Sequence, residues 1–108
     1  MRLKVVERHK VKITVLRRFN PSEVFKKSPV THAGNCEACG IYRDGQEFTV
    51  GEDGKMPEDF CTSAWVSIYP SVRLLSFGGD FPWYEEKGTA INCCIDGLRP
   101  VVFKLERI

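Results

Sequence analysis

The chain has 108 residues, the size of one domain around one core. Its 43% hydrophobic and 28% charged content is ordinary for a soluble globular protein, and no apolar run approaches the roughly 18 residues of a membrane-spanning helix. The net charge of +2 hides an asymmetry: residues 1–31 hold nine Lys and Arg against Glu7 and Glu23, a local +7, while residues 32–108 hold seven against twelve acids. Solvated faces of one strand and one helix are the simpler account of that basic third, so nucleic acid is not the expected partner.

The elements follow in chain order. From Lys10 to Arg18, Val11, Ile13 and Val15 alternate with Lys10, Lys12 and Thr14, which predicts a strand with one buried face; Leu3 and Val5 share its parity and would extend it backwards. Asn20-Pro21-Ser22-Glu23 reads as the start of a short helix, with Asn as cap, Pro at the first helical position and Glu reaching back to the cap amide. Residues 28–46 carry Pro29, Gly34, Gly40 and Gly45 without periodicity and are expected to form a loop. Gln46–Val50 is a second strand, with Phe48 and Val50 on one face.

Pro57-Glu58-Asp59 is expected to open a second helix, on which Cys61, Ala64, Trp65 and Ile68 form an apolar face until Pro70 breaks it or starts a new helix. Gly78-Gly79 is the expected C-cap, and Phe77 to Trp83 a loop whose aromatics fold back on the core. Thr89–Ile95 and Val101–Arg107 are strands around an Asp96-Gly97 turn. The order predicts a single small α+β domain over residues 1–108, with a mostly antiparallel sheet and two or three short helices.

Five cysteines carry most of the chemical information. An odd number leaves one thiol over from any complete disulfide framework, and no apolar stretch follows Met1-Arg2-Leu3-Lys4 to suggest a secretory signal. Both point to a reducing, cytoplasmic setting, where cysteines stay as thiols or bind metal. In the strand after residue 88, Cys93 is expected in the core between Ile91 and Ile95, with Cys94 on the opposite face. Cys36-x-x-Cys39 lies on the Gly-bearing loop, where burial gives no reason for two thiols and where two sulfurs could share one metal or one disulfide. Cys61 and Cys94 are the candidate partners, with His32 in reserve. No Ser/His/Asp set and no phosphate loop in the right context is present.

From Val11 to the end the chain resembles a family of small prokaryotic proteins of unassigned activity. The resemblance rests on Lys10-Val11-Lys12-Ile13-Thr14-Val15, on Cys39 with Gly45-Gln46-Glu47-Phe48, and on Met56-Pro57-Glu58-Asp59-Phe60-Cys61. It continues through Tyr69-Pro70, Phe77-Gly78-Gly79-Asp80-Phe81-Pro82-Trp83, Cys94-Ile95-Asp96 and Pro100-Val101-Val102-Phe103. It selects Cys39, Cys61 and Cys94, with Cys36 and Cys93 as additions and residues 1–9 as an N-terminal extension.

The leading expectation is a non-enzymatic domain whose Cys39, Cys61 and Cys94, with Cys36 or His32 as a fourth ligand, bind zinc or an iron–sulfur cluster. The rivals are an interaction or self-association module using the basic N-terminal strand or the aromatic loop 77–83, and a thiol-dependent enzyme with Cys94 or Cys39 as nucleophile.

Overall fold

In a computed structural model, which describes residues 7–34 and 37–108, the alternation of the first strand is realised: β1 (Val11–Arg18) buries Val11, Ile13 and Val15 and leaves Lys12 and Thr14 on the other face. Its suggested extension through Leu3 and Val5 lies outside the described residues. Helix α1 (Pro21–Val24) starts as its capping residues predict, with the Asn20 N–H donating to Glu23 Oε1 at 2.9 Å. The Asn20 side-chain oxygen reaches further and accepts the Ala38 N–H at 2.8 Å, mooring the long loop. That loop returns into β2 (Glu47–Val50), which pairs antiparallel with β1.

Helix α2 (Thr62–Ser76) departs from expectation at Pro57-Glu58-Asp59 and at Pro70. It does not begin at Pro57. Residues 57–60 form a turn, with the Phe60 N–H on the Pro57 carbonyl at 3.4 Å, and Asp59 has φ 62°, a left-handed conformation that cannot propagate a right-handed helix. Cys61 is therefore the N-cap and not a member of the apolar face. Nor does Pro70 interrupt the helix. Pro70 and Val66 both lie on the exposed side, so the carbonyl that loses its partner faces water.

The helix ends as Gly78-Gly79 predicts. The Gly78 N–H bonds the Leu75 carbonyl at 3.0 Å and the Gly79 N–H bonds the Leu74 carbonyl at 2.9 Å, with Gly78 at φ 87°. This is the paired closure that a left-handed residue after the C-cap permits.

β3 (Thr89–Cys93) and β4 (Val101–Arg107) complete an antiparallel sheet of order β2-β1-β4-β3. The fold is α+β. One face of the sheet packs against Ala64, Ile68, Val72 and Leu75 of α2 through Val11, Ile13, Val15, Val50, Ala90, Val101, Phe103 and Leu105. The other face is charged. Lys12 stands between Glu47 at 3.6 Å and Glu106 at 3.8 Å, and Lys104 lies 3.5 Å from Glu106. Arg17 pairs with Glu23 and Arg18 with Asp44. Part of the basic excess of the N-terminal third is thus met by acids from β2, β4 and the loops.

Two assignments of side-chain direction are corrected. In β3 the core residue is Ala90, while Ile91 and Cys93 are exposed; Cys93 is not a core thiol. A period-two pattern fixes which residues share a face, not which face is covered, and α2 lies on the alanine side. Around Phe77–Trp83, Phe81 and Tyr84 pack on the core, but Trp83 stays 70% exposed and does not fold back on Trp65 and Ile68.

Candidate thiol site

Three thiols reach one place from three separate segments. Cys39 comes from the loop before β2, Cys61 from the N-cap of α2, and Cys94 from the residue after β3. All three line a half-open cavity of about 370 Å³, walled by Ile41, Tyr42, Ala64, Ile95 and Val101, with Ser63, Asp96 and Arg99 as its polar members. Cys94 keeps the parity of the buried Ala90, and its N–H on the Val101 carbonyl continues the β3–β4 register by one more step, so alternation alone sets it on the cavity side. Cys93 lies in a separate depression with Ile91 and Val102.

Each segment is held locally. Arg18 clamps the Cys39 loop to the end of β1: its guanidinium donates to Asp44 Oδ1 and to the Cys39 carbonyl, both at 3.0 Å, and its N–H donates to Asp44 Oδ1 at 3.1 Å. Arg18→Ala is expected to cost about 1–2 kcal/mol, the lower part of the range for hydrogen bonds to charged groups because the clamp is partly solvated. It should also speed alkylation of Cys39 relative to Cys61, read by mass spectrometry of labelled peptides.

Cys94 is fixed across the β3–β4 connection. Its N–H donates to the Val101 carbonyl at 3.0 Å, and its Sγ accepts the Val101 N–H at 3.3 Å. The connection is shaped by Asp96, whose Oδ1 accepts the Leu98 and Arg99 N–H groups at 2.9 and 3.0 Å. Burial pushes the Asp96 carboxyl up, but those N–H groups and the Arg99 guanidinium outweigh it and hold Asp96 below its ordinary value.

Cys61 is fixed through Tyr42, whose Oη accepts the Cys61 N–H at 3.0 Å. Tyr42 is 3% exposed, and its ring sits edge-on to Phe48 and Phe103 and tilted to Phe60, with centroids 5.4–5.9 Å apart. Burial pushes the phenol up to about 12; the Cys61 N–H opposes the shift, and the charges that Cys61, Cys39 and Cys94 can carry add to it. Tyr42 belongs to none of the motifs that mark the site in the sequence. The available signal was an apolar pair, Ile41-Tyr42, in a loop otherwise made of Gly, Cys and polar residues.

Cys36 lies outside the described residues. His32 is not among the residues lining the cavity, and its Nδ1 accepts the Gly34 N–H at 3.0 Å. As placed, no three His, Cys, Asp or Glu side chains among the described residues form a group that could hold a metal ion. No helix among the described residues is long and apolar enough to cross a membrane. No protein-family model matches the chain, and neither does any curated protein or solved structure.

Proposed function

We propose that the cavity is a thiolate ligand site, in which Cys39, Cys61 and Cys94 together hold zinc or the iron of an iron–sulfur cluster, in a domain without a catalytic step of its own. The carrying observation is that three thiols, 22 and 33 residues apart in sequence, line one cavity while Cys93 does not. Loading requires each sulfur to come within about 2.3 Å of the metal. Rotation of the single χ1 of each cysteine between staggered positions is the movement available for that. Cys36, three residues before Cys39, is the fourth ligand of this reading, with His32 in reserve. The resemblance to the Phe-Gly-Gly-x-x-Pro-Trp proteins selects the same three cysteines.

Elemental analysis of untagged protein, followed by Co(II) and Cd(II) titration of the apo form, tests the proposal. About one equivalent of metal and a sulfur-to-metal charge-transfer band are expected, both lost in Cys61→Ser and Cys94→Ser and kept in Cys93→Ala. Protein that retains no metal, binds neither ion and shows one fast-alkylating cysteine would overturn this reading in favour of a thiol enzyme.

A second reading rests on Trp83. At 70% exposure, its ring tilted 38° to that of Phe81 with centroids 5.2 Å apart, it offers an aromatic surface for self-association. Trp83→Ala is expected to cost only about 1 kcal/mol of stability, the worth of its ring pairs, while lowering any concentration-dependent sedimentation. Identical sedimentation of both proteins at all concentrations would remove this reading.

A further inference from the structure

Among the described residues the sheet ends in β2 on one side and β3 on the other, and β3 lacks what usually keeps an edge from pairing. Its sequence, Thr89-Ala90-Ile91-Asn92-Cys93, holds no charge and no proline, and its register with β4 runs without a bulge. Two flanking bonds fix the direction of its backbone groups. The Arg107 N–H donates to the Gly88 carbonyl at 2.7 Å and the Cys94 N–H to the Val101 carbonyl at 3.0 Å, so the even-numbered residues bond to β4. The N–H and C=O groups of Ile91 and Cys93 therefore point to the open side. Side chains reach the two carbonyls, Asn92 Nδ2 donating to that of Ile91 at 3.0 Å and Ser67 Oγ to that of Cys93 at 2.7 Å; each keeps a second lone pair. On the face away from α2, Ile91 is 40% exposed and Cys93 is exposed beside Val102, an apolar end to a face that is otherwise charged. On the other face one atom stands out. Asn92 Oδ1 is buried, and among the described residues no donor reaches it, although a buried amide oxygen is ordinarily hydrogen-bonded. Asn92 lines the depression at this edge together with Ser67, Ile91, Cys93 and Val102.

We infer that the β3 edge docks a second copy of this chain, β3 against β3 and antiparallel, about a two-fold axis at Asn92. That axis sets Ile91 of each copy opposite Cys93 of the other. The outward N–H groups of Ile91 and Cys93 then donate to the outward carbonyls of the second copy's Cys93 and Ile91, and the symmetry repeats both bonds. Asn92 meets its own counterpart in the non-hydrogen-bonded position between them, where facing side chains stand closest. Asn92 is also what selects a second copy as the occupant. An amide both donates and accepts; each Oδ1 lacks a donor, and each Nδ2 has one N–H beyond the one given to Ile91. Two copies supply each other's missing bond, which an unrelated strand does only if it brings the same group to the same place. The absence of charge on β3 lets the copies meet without repulsion, and Ile91 and Cys93 cover each other on the outer face. The surface is separate from the thiol cavity and from Trp83 and rests on neither reading.

Trp83→Ala protein is the background for the test, because there the aromatic surface contributes nothing. Its sedimentation is expected to show a reversible equilibrium between one chain and two as concentration rises. Adding Ile91→Lys, which puts a charge on an exposed edge position and leaves the core untouched, should weaken that association by about tenfold or more. Hydrogen exchange at the Ile91 and Cys93 amides should slow with rising concentration. The register is read from Asn92→Cys combined with Cys93→Ser. The Cα atoms of a non-hydrogen-bonded pair lie about 4.5 Å apart, within the roughly 4.4–6.8 Å that a disulfide spans, so mild oxidation should give a covalent dimer that Cys93→Ser alone does not. Trp83→Ala protein that sediments as a single chain at every concentration overturns the inference. So does association that Ile91→Lys leaves unchanged, or a dimer that Asn92→Cys does not cross-link. Should Asn92→Cys not fold, exchange at the two amides decides: protection that grows with concentration there supports β3 pairing, and unchanged exchange overturns it.

Discussion

Phe103→Ala is expected to lower stability by about 3–5 kcal/mol, the cost of truncating a packed aromatic. Phe103 is fully buried in β4, directly across the sheet from Val15 and Asn92. Its ring centroid lies 5.4 Å from Tyr42 and 5.5 Å from Phe60. The substitution removes the floor on which the Tyr42 ring rests, so the loss extends beyond hydrophobic transfer to a cavity beside the thiols. Thermal unfolding followed by circular dichroism should show Tm falling by at least about 10 °C in a domain of this size. A fall of less than about 3 °C would mean that the aromatic cluster does not carry the core. Phe103→Leu, which keeps most of the volume, should recover more than half of the loss.

The second large effect is expected at the end of α2. A Cβ on Gly79 would stand 2.6 Å from Leu74 Cδ1 and 3.0 Å from the Leu74 carbonyl oxygen, and the latter is backbone that the closing hydrogen bond holds in place. Gly79→Ala is therefore expected to cost about 1–3 kcal/mol, as overpacking does. The damage should spread, because the Gly79 carbonyl accepts the Arg107 guanidinium at 2.7 Å. The same guanidinium donates to Asp80 Oδ1 at 2.9 Å, and that oxygen accepts the Gly88 N–H at 2.6 Å. One arginine thus joins the end of β4, the end of α2 and the chain entering β3. Denaturant unfolding would measure the loss, with Gly97→Ala as the control, since nothing lies within 4 Å of a Cβ there. Equal midpoints for the two variants would show that the helix end relaxes at no cost.

Much of the architecture is local and was legible in the residues themselves. Alternation marks β1 and β4 because a strand's side chains must divide between two faces. Asn20-Pro21-Ser22-Glu23 marks a helix start because the cap bonds close within four residues, and Gly78-Gly79 marks a helix end because a positive φ is accessible to glycine without strain. Asp96 marks its turn by bonding amides two and three residues on. None of these needs a distant partner, so each could be read before the chain was folded.

The tertiary structure decided what local pattern leaves open. Asp59 delayed α2 until Thr62, which turned Cys61 from a member of a helix face into the residue at its mouth. The position of α2 over the sheet determined that Ala90 and not Cys93 faces the core, since parity alone is symmetric between the two faces. Trp83 stayed in solvent because Phe81 and Tyr84 took the places against the core. Cys39, Cys61 and Cys94 could be singled out by residue type and by motif. Their common cavity, and the buried hydroxyl of Tyr42 at its wall, are products of long-range packing: the sheet order β2-β1-β4-β3 and the helix across it bring together groups that no spacing in the sequence relates.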